Sequence, residues 1–152
     1  MGTQQIITPA SNLAKRFEGL KLKAYHDPVG YPTQGYGRLL SRVKWEDLSK
    51  YPDITLEIAE DWLKIDLIKS LKSTLRLLPV SLTDSQLAAL TDFSFNLGAG
   101  QLQISRLRKE ILQANHDEAA RQFLRWIYAG GKPLKGLVLR RQAEAQLFLT
   151  SS

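Results

Sequence analysis

The sequence predicts a mostly α-helical protein carrying one small β-hairpin near its N-terminus. Three observations predict it. Leu56, Ala59, Leu63, Leu67, Leu71, Leu75 and Leu78 recur at spacings of 3, 4, 4, 4, 4 and 3, the apolar stripe of an amphipathic helix. Thr83 and Gln86 have the spacing of a capping box, at the head of a second apolar run that stops at Gly98. Between residues 22 and 36 the pattern changes to strand-like alternation around an Asp-Pro-Val-Gly turn.

Each element follows in order. Residues 8–18 read as the first helix, with Thr8 as N-cap, Pro9 at the first helical position and Gly19 just past the end. Alternation over residues 22–26 gives one strand, residues 27–30 the turn and residues 31–36 the returning strand. This is the only strand signal in the chain. The leucine-striped helix is capped by Thr55 and ended by Pro79, and spans about 35 Å at 1.5 Å per residue. It is placed to link a small N-terminal lobe, residues 1–54, to a larger helical lobe, residues 80–152, within one domain. Leu82 and Leu87 add a hydrophobic staple to the capping box. Further helices fit residues 105–114, 117–129 and 135–149, with Gly130 and Gly131 separating the last two.

Composition narrows the chemistry. A domain of 152 residues and 17.2 kDa buries roughly 70% of its unfolded surface, so its core needs no disulfide or metal. Zero cysteines exclude thiol nucleophiles, thiolate zinc sites and disulfides. With only His26 and His116, no metal site and no cofactor are expected. The net charge of +6 points toward a polyanionic partner. Its excess sits at the two ends, +4 over residues 1–50 and +3 over residues 116–152, which would make one basic face if the ends pack together. No segment clusters Arg and Lys as a recognition helix would, so nucleic acid is not the expected partner. The first fourteen residues lack the charged and apolar regions of a signal peptide. The uncharged residues 93–105 are too short and polar to span a bilayer. A protein made in the cytoplasm, without export signal or membrane insertion, is expected.

Glu18, Asp27 and Thr33 form the sharpest constellation. Glu18 falls in the last turn of the first helix, where the negative end of the macrodipole favours the protonated form a general acid requires. Asp27 opens a turn whose free backbone N–H groups favour a carboxylate. Two carboxyls in such contrasting environments are an acid/base pair. Thr33, on the opposing strand, is placed to hold a water beside Asp27. Together they fit glycoside hydrolysis, in which one carboxyl protonates the leaving oxygen and the other activates water. The same residues also fit ordinary surface roles, since a Glu before a helix-ending Gly and an Asp in a turn are common.

Residues 17–37, FEGLKLKAYHDPVGYPTQGYG, closely resemble the active-site signature of the phage-type lysozymes, glycoside hydrolase family 24. That signature has Glu, eight residues, Asp, five residues and Thr, then Gly-aromatic-Gly, and Glu18, Asp27 and Thr33 match it position for position. The likeness recurs in residues 92–100, DFSFNLGAG, in residues 129–137, AGGKPLKGL, and in residues 140–144, RRQAE. The resemblance implies an α+β lysozyme-like fold with a cleft between a hairpin-bearing small lobe and a helical lobe. It implies an endolysin that hydrolyses the β-1,4 bond between N-acetylmuramic acid and N-acetylglucosamine in peptidoglycan. By the same likeness Glu18 is the general acid, Asp27 positions or activates water, Thr33 orients it, and the anomeric centre inverts. Peptidoglycan is then the partner, reached from the host cytoplasm once a holin opens the inner membrane, and the enzyme is expected to act as a monomer.

One departure stands out. The family usually has His after Gly-aromatic-Gly, where this chain has Arg38. Pairing of that position with an Asp on the connecting helix implies an Arg38–Asp66 ion pair; a solvated surface Arg is the alternative. The family's C-terminal Arg implies that Arg140 or Arg141 reaches the cleft and tunes Glu18. Asn96 and Gln101 are placed to contact sugar amides or to cap helices. Strand alternation turns His26 away from Asp27. Trp62 and Trp126 read as core, and Trp45 lies in a charged segment without an assigned role. Two other functions fit part of the pattern. A lytic transglycosylase needs only the Glu, and an inactive relative would bind cell wall without cutting it.

Overall fold

The computed structural model describes residues 2–150. The first helix, α1, runs from Thr3 to Glu18 and carries Pro9 inside it, so it starts a turn earlier than the Thr8–Pro9 signal predicts. Burial decides this. Ile6, Ile7, Ala10 and Ala14 form one buried face that crosses Pro9, while Gln5, whose carbonyl loses the missing proline N–H, is exposed.

A three-stranded antiparallel sheet follows: β1 (Lys21–His26), β2 (Pro32–Gly35) and β3 (Arg38–Leu39). The third strand extends the expected hairpin. Tyr25 pairs with Thr33, and Thr33 with Leu39, which places Thr33 on the buried central strand. The Gln34 amide donates to the Leu22 and Pro52 carbonyls and ties the sheet to the loop that follows.

The long helix α2 (Leu56–Leu77) is capped by Thr55, whose hydroxyl accepts from the Ile58 N–H at 3.1 Å. Ala59, Leu63, Leu67 and Leu71 are buried, but Leu56 and Leu75 are exposed and Thr74 and Leu77 replace them. Steps of four on a helix of 3.6 residues per turn drift about 40° each, so the stripe has turned out of the core by Leu75, although its last member, Leu78, is buried at the helix C-cap. Helix α3 (Asp84–Leu97) opens on the expected capping box, and every residue from 86 to 94 is buried. A helix covered on all sides is the centre of its domain. It contributes Leu87 and Ala88 to a core with α1 and α2, and Leu90 and Phe93 to a second with the C-terminal helices.

The C-terminal region departs most from expectation. Helix α4 (Ala99–Ile104) was hidden by the glycines around it and is anchored by the buried Leu102, with Ala99 packed against the same core. Helices α5 (Arg106–Leu112) and α6 (His116–Phe123) are shorter than predicted. In place of the end of the predicted 117–129 helix, β4 (Tyr128–Ala129) and β5 (Lys132–Pro133) pair across Gly130 and Gly131. The hairpin near the N-terminus is therefore not the only strand pair. Helix α7 (Lys135–Leu149) matches its predicted span and packs against α3, α6 and α1. Of the C-terminal basic residues, Arg140 and Arg141 of α7 are buried and add nothing to a basic surface. Among the described residues, no helix is long and apolar enough to cross a membrane.

Candidate active site

Glu18 ends α1, half-buried, and its Oε2 accepts from Arg140 Nη1 at 2.7 Å. The other edge of that guanidinium forks onto Asp92 of α3, Nε to Oδ2 at 2.9 Å and Nη2 to Oδ1 at 2.7 Å. Burial acts to lower the Arg140 pKa, but Asp92 and Glu18 together raise it above the usual arginine value, so it is a fixed cation. On the other side Glu18 lies against Gly37, where a Cβ would fall 2.7 Å from Oε1. A cavity of about 650 Å³ opens in front, walled by Glu18, Arg38, Asp66, Lys69 and Asn96 among others.

Asp27 is fixed by its own turn. Its Oδ1 accepts the backbone N–H groups of Val29, Gly30 and Tyr31 at 2.8–2.9 Å. The Thr33 hydroxyl donates to the Tyr31 carbonyl at 2.8 Å, so the Tyr31 residue connects the two side chains. Neither Asp27 nor Thr33 walls the cavity in front of Glu18. Tyr25, absent from the predicted site, feels both acids: burial, then the negative charges of Glu18 and Asp27, push its phenol pKa up. It therefore keeps its proton. Its position two residues before Asp27, on the strand that leads into the turn, was the available signal.

Arg38 Nε lies 3.5 Å from Asp66 Oδ2, and the guanidinium covers the Trp62 ring at 4.7 Å. Burial raises the Asp66 pKa against the opposing pull of Arg38 and Lys69. Desolvation outweighs this pairing. The remaining candidates separate. Asn96 walls the cavity, whereas Gln101 is exposed on α4 and does not. Arg141 is fully buried, with Nη2 on Asn96 Oδ1 at 2.6 Å and on Glu144 Oε2 at 3.1 Å. Both arginines are enclosed by carboxyls and helices. Asp92 and Glu144 complete this group and were not singled out, although a lone acid in an apolar run and an acid four residues after Arg140 were visible signs. His26 turns its Nε2 to the Glu46 carbonyl at 2.7 Å. Trp45, at a φ of 60°, is exposed over Gly30, whose missing side chain leaves room for the indole. Trp126 packs edge-on to Phe93 in the core.

The chain is similar to several known proteins. The family model described as Phage lysozyme matches residues 15–144. The chain is 40% identical over 141 residues to the endolysin of Bacillus phage B103, covering 91% of this chain and 52% of that protein. It is 36% identical over 140 residues to the endolysin of Acyrthosiphon pisum secondary endosymbiont phage 1, covering 90% and 92%. The chain spans about half the length of the endolysins of Bacillus phages B103 and PZA. Among solved structures it resembles the muramidase domain of SpmX from Asticaccaulis excentricus, with a TM-score of 0.81, 30% identity, and 93% and 95% of the two chains covered.

Proposed function

This chain belongs to the phage lysozyme family, and we propose that it is a muramidase that hydrolyses peptidoglycan at the β-1,4 bond between N-acetylmuramic acid and N-acetylglucosamine. The observation that carries this reading is Glu18, a carboxyl at the wall of an open cavity with a fixed guanidinium 2.7 Å behind it. Glu18 gives its proton to the glycosidic oxygen as the bond breaks, and Arg140 neutralises the carboxylate that remains. Asp27, with Oδ1 held by three backbone N–H groups, has Oδ2 left to orient and deprotonate the attacking water. Thr33 orients that water from the neighbouring strand. Attack opposite the leaving group inverts the anomeric carbon, so the new reducing end forms first as the α anomer. Arg38 and Asp66 join the sheet to α2 across the cavity, and Asn96 is the sugar-facing amide. Lysis of the host follows when a separate holin admits the enzyme to the wall.

Glu18→Gln tests the reading. Circular dichroism is expected to stay unchanged while loss of turbidity in cell-wall suspensions slows by about 10²-fold or more. Lysis at the wild-type rate would overturn the assignment. With the wild type, an anhydro sugar in the mass spectrum or a β anomer appearing first by NMR would overturn inverting hydrolysis.

A further inference from the structure

Behind Glu18 lies an acid that this reaction leaves unused. Asp92 and Glu144 are fully buried, as is Arg141, and Arg140 is 3% exposed. Arg140 Nε stands 2.9 Å from Asp92 Oδ2 and 4.0 Å from Glu144 Oε2. Both acids therefore converge on the guanidinium that holds Glu18. Two arginines, charged at any ordinary pH, share this space with three carboxyls. Once Glu18 has given up its proton, three ionised carboxyls would leave the group with one uncompensated negative charge, which a low-dielectric interior disfavours. One proton removes the excess.

The geometry identifies where that proton sits. Asp92 takes both bonds of the Arg140 fork, and Glu18 faces the cavity. Glu144 accepts a single directed bond, from Arg141 Nη2 at 3.1 Å. Arg141 Nε is 2.8 Å from Glu144 Oε1, yet its N–H is not aimed there, and Oε1 has no hydrogen-bond partner. An ionised pair would close that fork. We propose that Glu144 is a positioning residue for the catalytic acid: it stays a neutral carboxylic acid, its hydroxyl hydrogen-bonds to Asp92, and the resulting acid–carboxylate pair seats Arg140 against Glu18. The proposal rests on the reading of Glu18 given above.

Burial pushes the Glu144 carboxyl well above the usual range, and the hydrogen bond to Asp92 and its negative charge add to this. Arg141 and Arg140 pull the other way without prevailing. Among the described residues, no further charge on the packed helices faces it. On α1, Glu18 lies beyond Arg140, and His116 of α6 is turned to Gln86 and Phe148. Because the folded state binds this proton more tightly than the unfolded chain, the stabilisation is complete below the unfolded carboxyl range. It is lost as pH rises through the folded-state value.

Glu144→Gln keeps the shape and a donor toward Asp92 but cannot ionise. In the wild type at neutral pH, difference infrared spectroscopy against Glu144→Gln is expected to show the carbonyl band of a protonated carboxyl. Urea unfolding across a pH series is expected to show Glu144→Gln gaining stability relative to wild type as pH rises. Glu144→Ala is expected to lower kcat by about 10- to 100-fold through misplacement of Glu18, with KM little changed. Glu144→Gln restores most of that kcat and moves the alkaline limb of the pH profile upward. Absence of the band, or pH profiles of wild type and Glu144→Gln that superimpose, overturns the proposal. The infrared and unfolding measurements read Glu144 directly, so their failure is distinct from lysis surviving Glu18→Gln.

Discussion

Gly37 has a φ of 79°, a backbone conformation that side chains resist, and a Cβ there would point straight at the acid. The atom it would meet at 2.7 Å, Glu18 Oε1, is the end of a flexible side chain. Relief therefore comes from moving the carboxylate rather than the backbone. Gly37→Ala is expected to cost stability by about 1–2 kcal/mol through φ alone. Its effect on turnover is larger: a displacement of Glu18 of about an ångström lowers kcat by about 10²-fold. Urea unfolding and turbidity assays on the same preparation check the two effects. A loss of activity no greater than the stability change explains would show that Glu18 does not need the space. Asp27 is constrained differently, by three N–H groups of its own turn. One acid is thus placed by tertiary contacts and the other by three consecutive residues of its own turn.

That difference explains what the sequence revealed at the level of elements. Spans set by local signals were legible: the Thr55 cap of α2, the Thr83–Gln86 box of α3 and the whole of α7. Asp92 and Glu144 escaped notice because their meaning depends on Arg140, which contacts Asp92 across 48 positions and Glu18 across 122. Helix α4 and the β4–β5 ribbon were missed where glycines read as loop. The start of α1 was misplaced because proline preference was weighed without the burial of Ile6 and Ile7. Pro9 accordingly remains a defect inside α1, removing one helical hydrogen bond. Interior proline costs a helix about 3 kcal/mol, and its stiffening of the unfolded chain returns about 0.4–1 kcal/mol. Pro9→Ala is expected to raise Tm, by about 2–4 °C for each kcal/mol gained in a chain of this size. A calorimetric Tm at or below wild type would show that the ring's place in the groove between α1 and α7, which it lines with Leu13 and Leu147, outweighs the missing bond.

At the scale of the whole molecule, Arg140 joins parts that the chain keeps far apart. Its guanidinium spans Glu18 at the end of α1 and Asp92 at the middle of α3, from a seat on α7. Phe93, the neighbour of Asp92, packs on Phe123 and Trp126 in the C-terminal core, and Ala88 packs in the core with α1 and α2. Activity and stability therefore meet in one side chain, and substitutions can separate them. Arg140→Met keeps bulk but strips the buried Asp92 of its cation, at an expected cost of about 3–5 kcal/mol. That is a large share of the roughly 5–15 kcal/mol that holds a domain folded. Adding Asp92→Asn removes the orphaned charge, so the double variant is expected to recover a substantial part of the loss in urea unfolding. Activity follows Glu18 instead. With no guanidinium behind the acid, kcat is expected to stay as low in Arg140→Met/Asp92→Asn as in Arg140→Met. A double variant no more stable than the single one would mean that Arg140 stabilises the fold by packing rather than by compensating Asp92. Recovery of kcat together with stability would mean that the cation behind Glu18 serves only to hold the helices together.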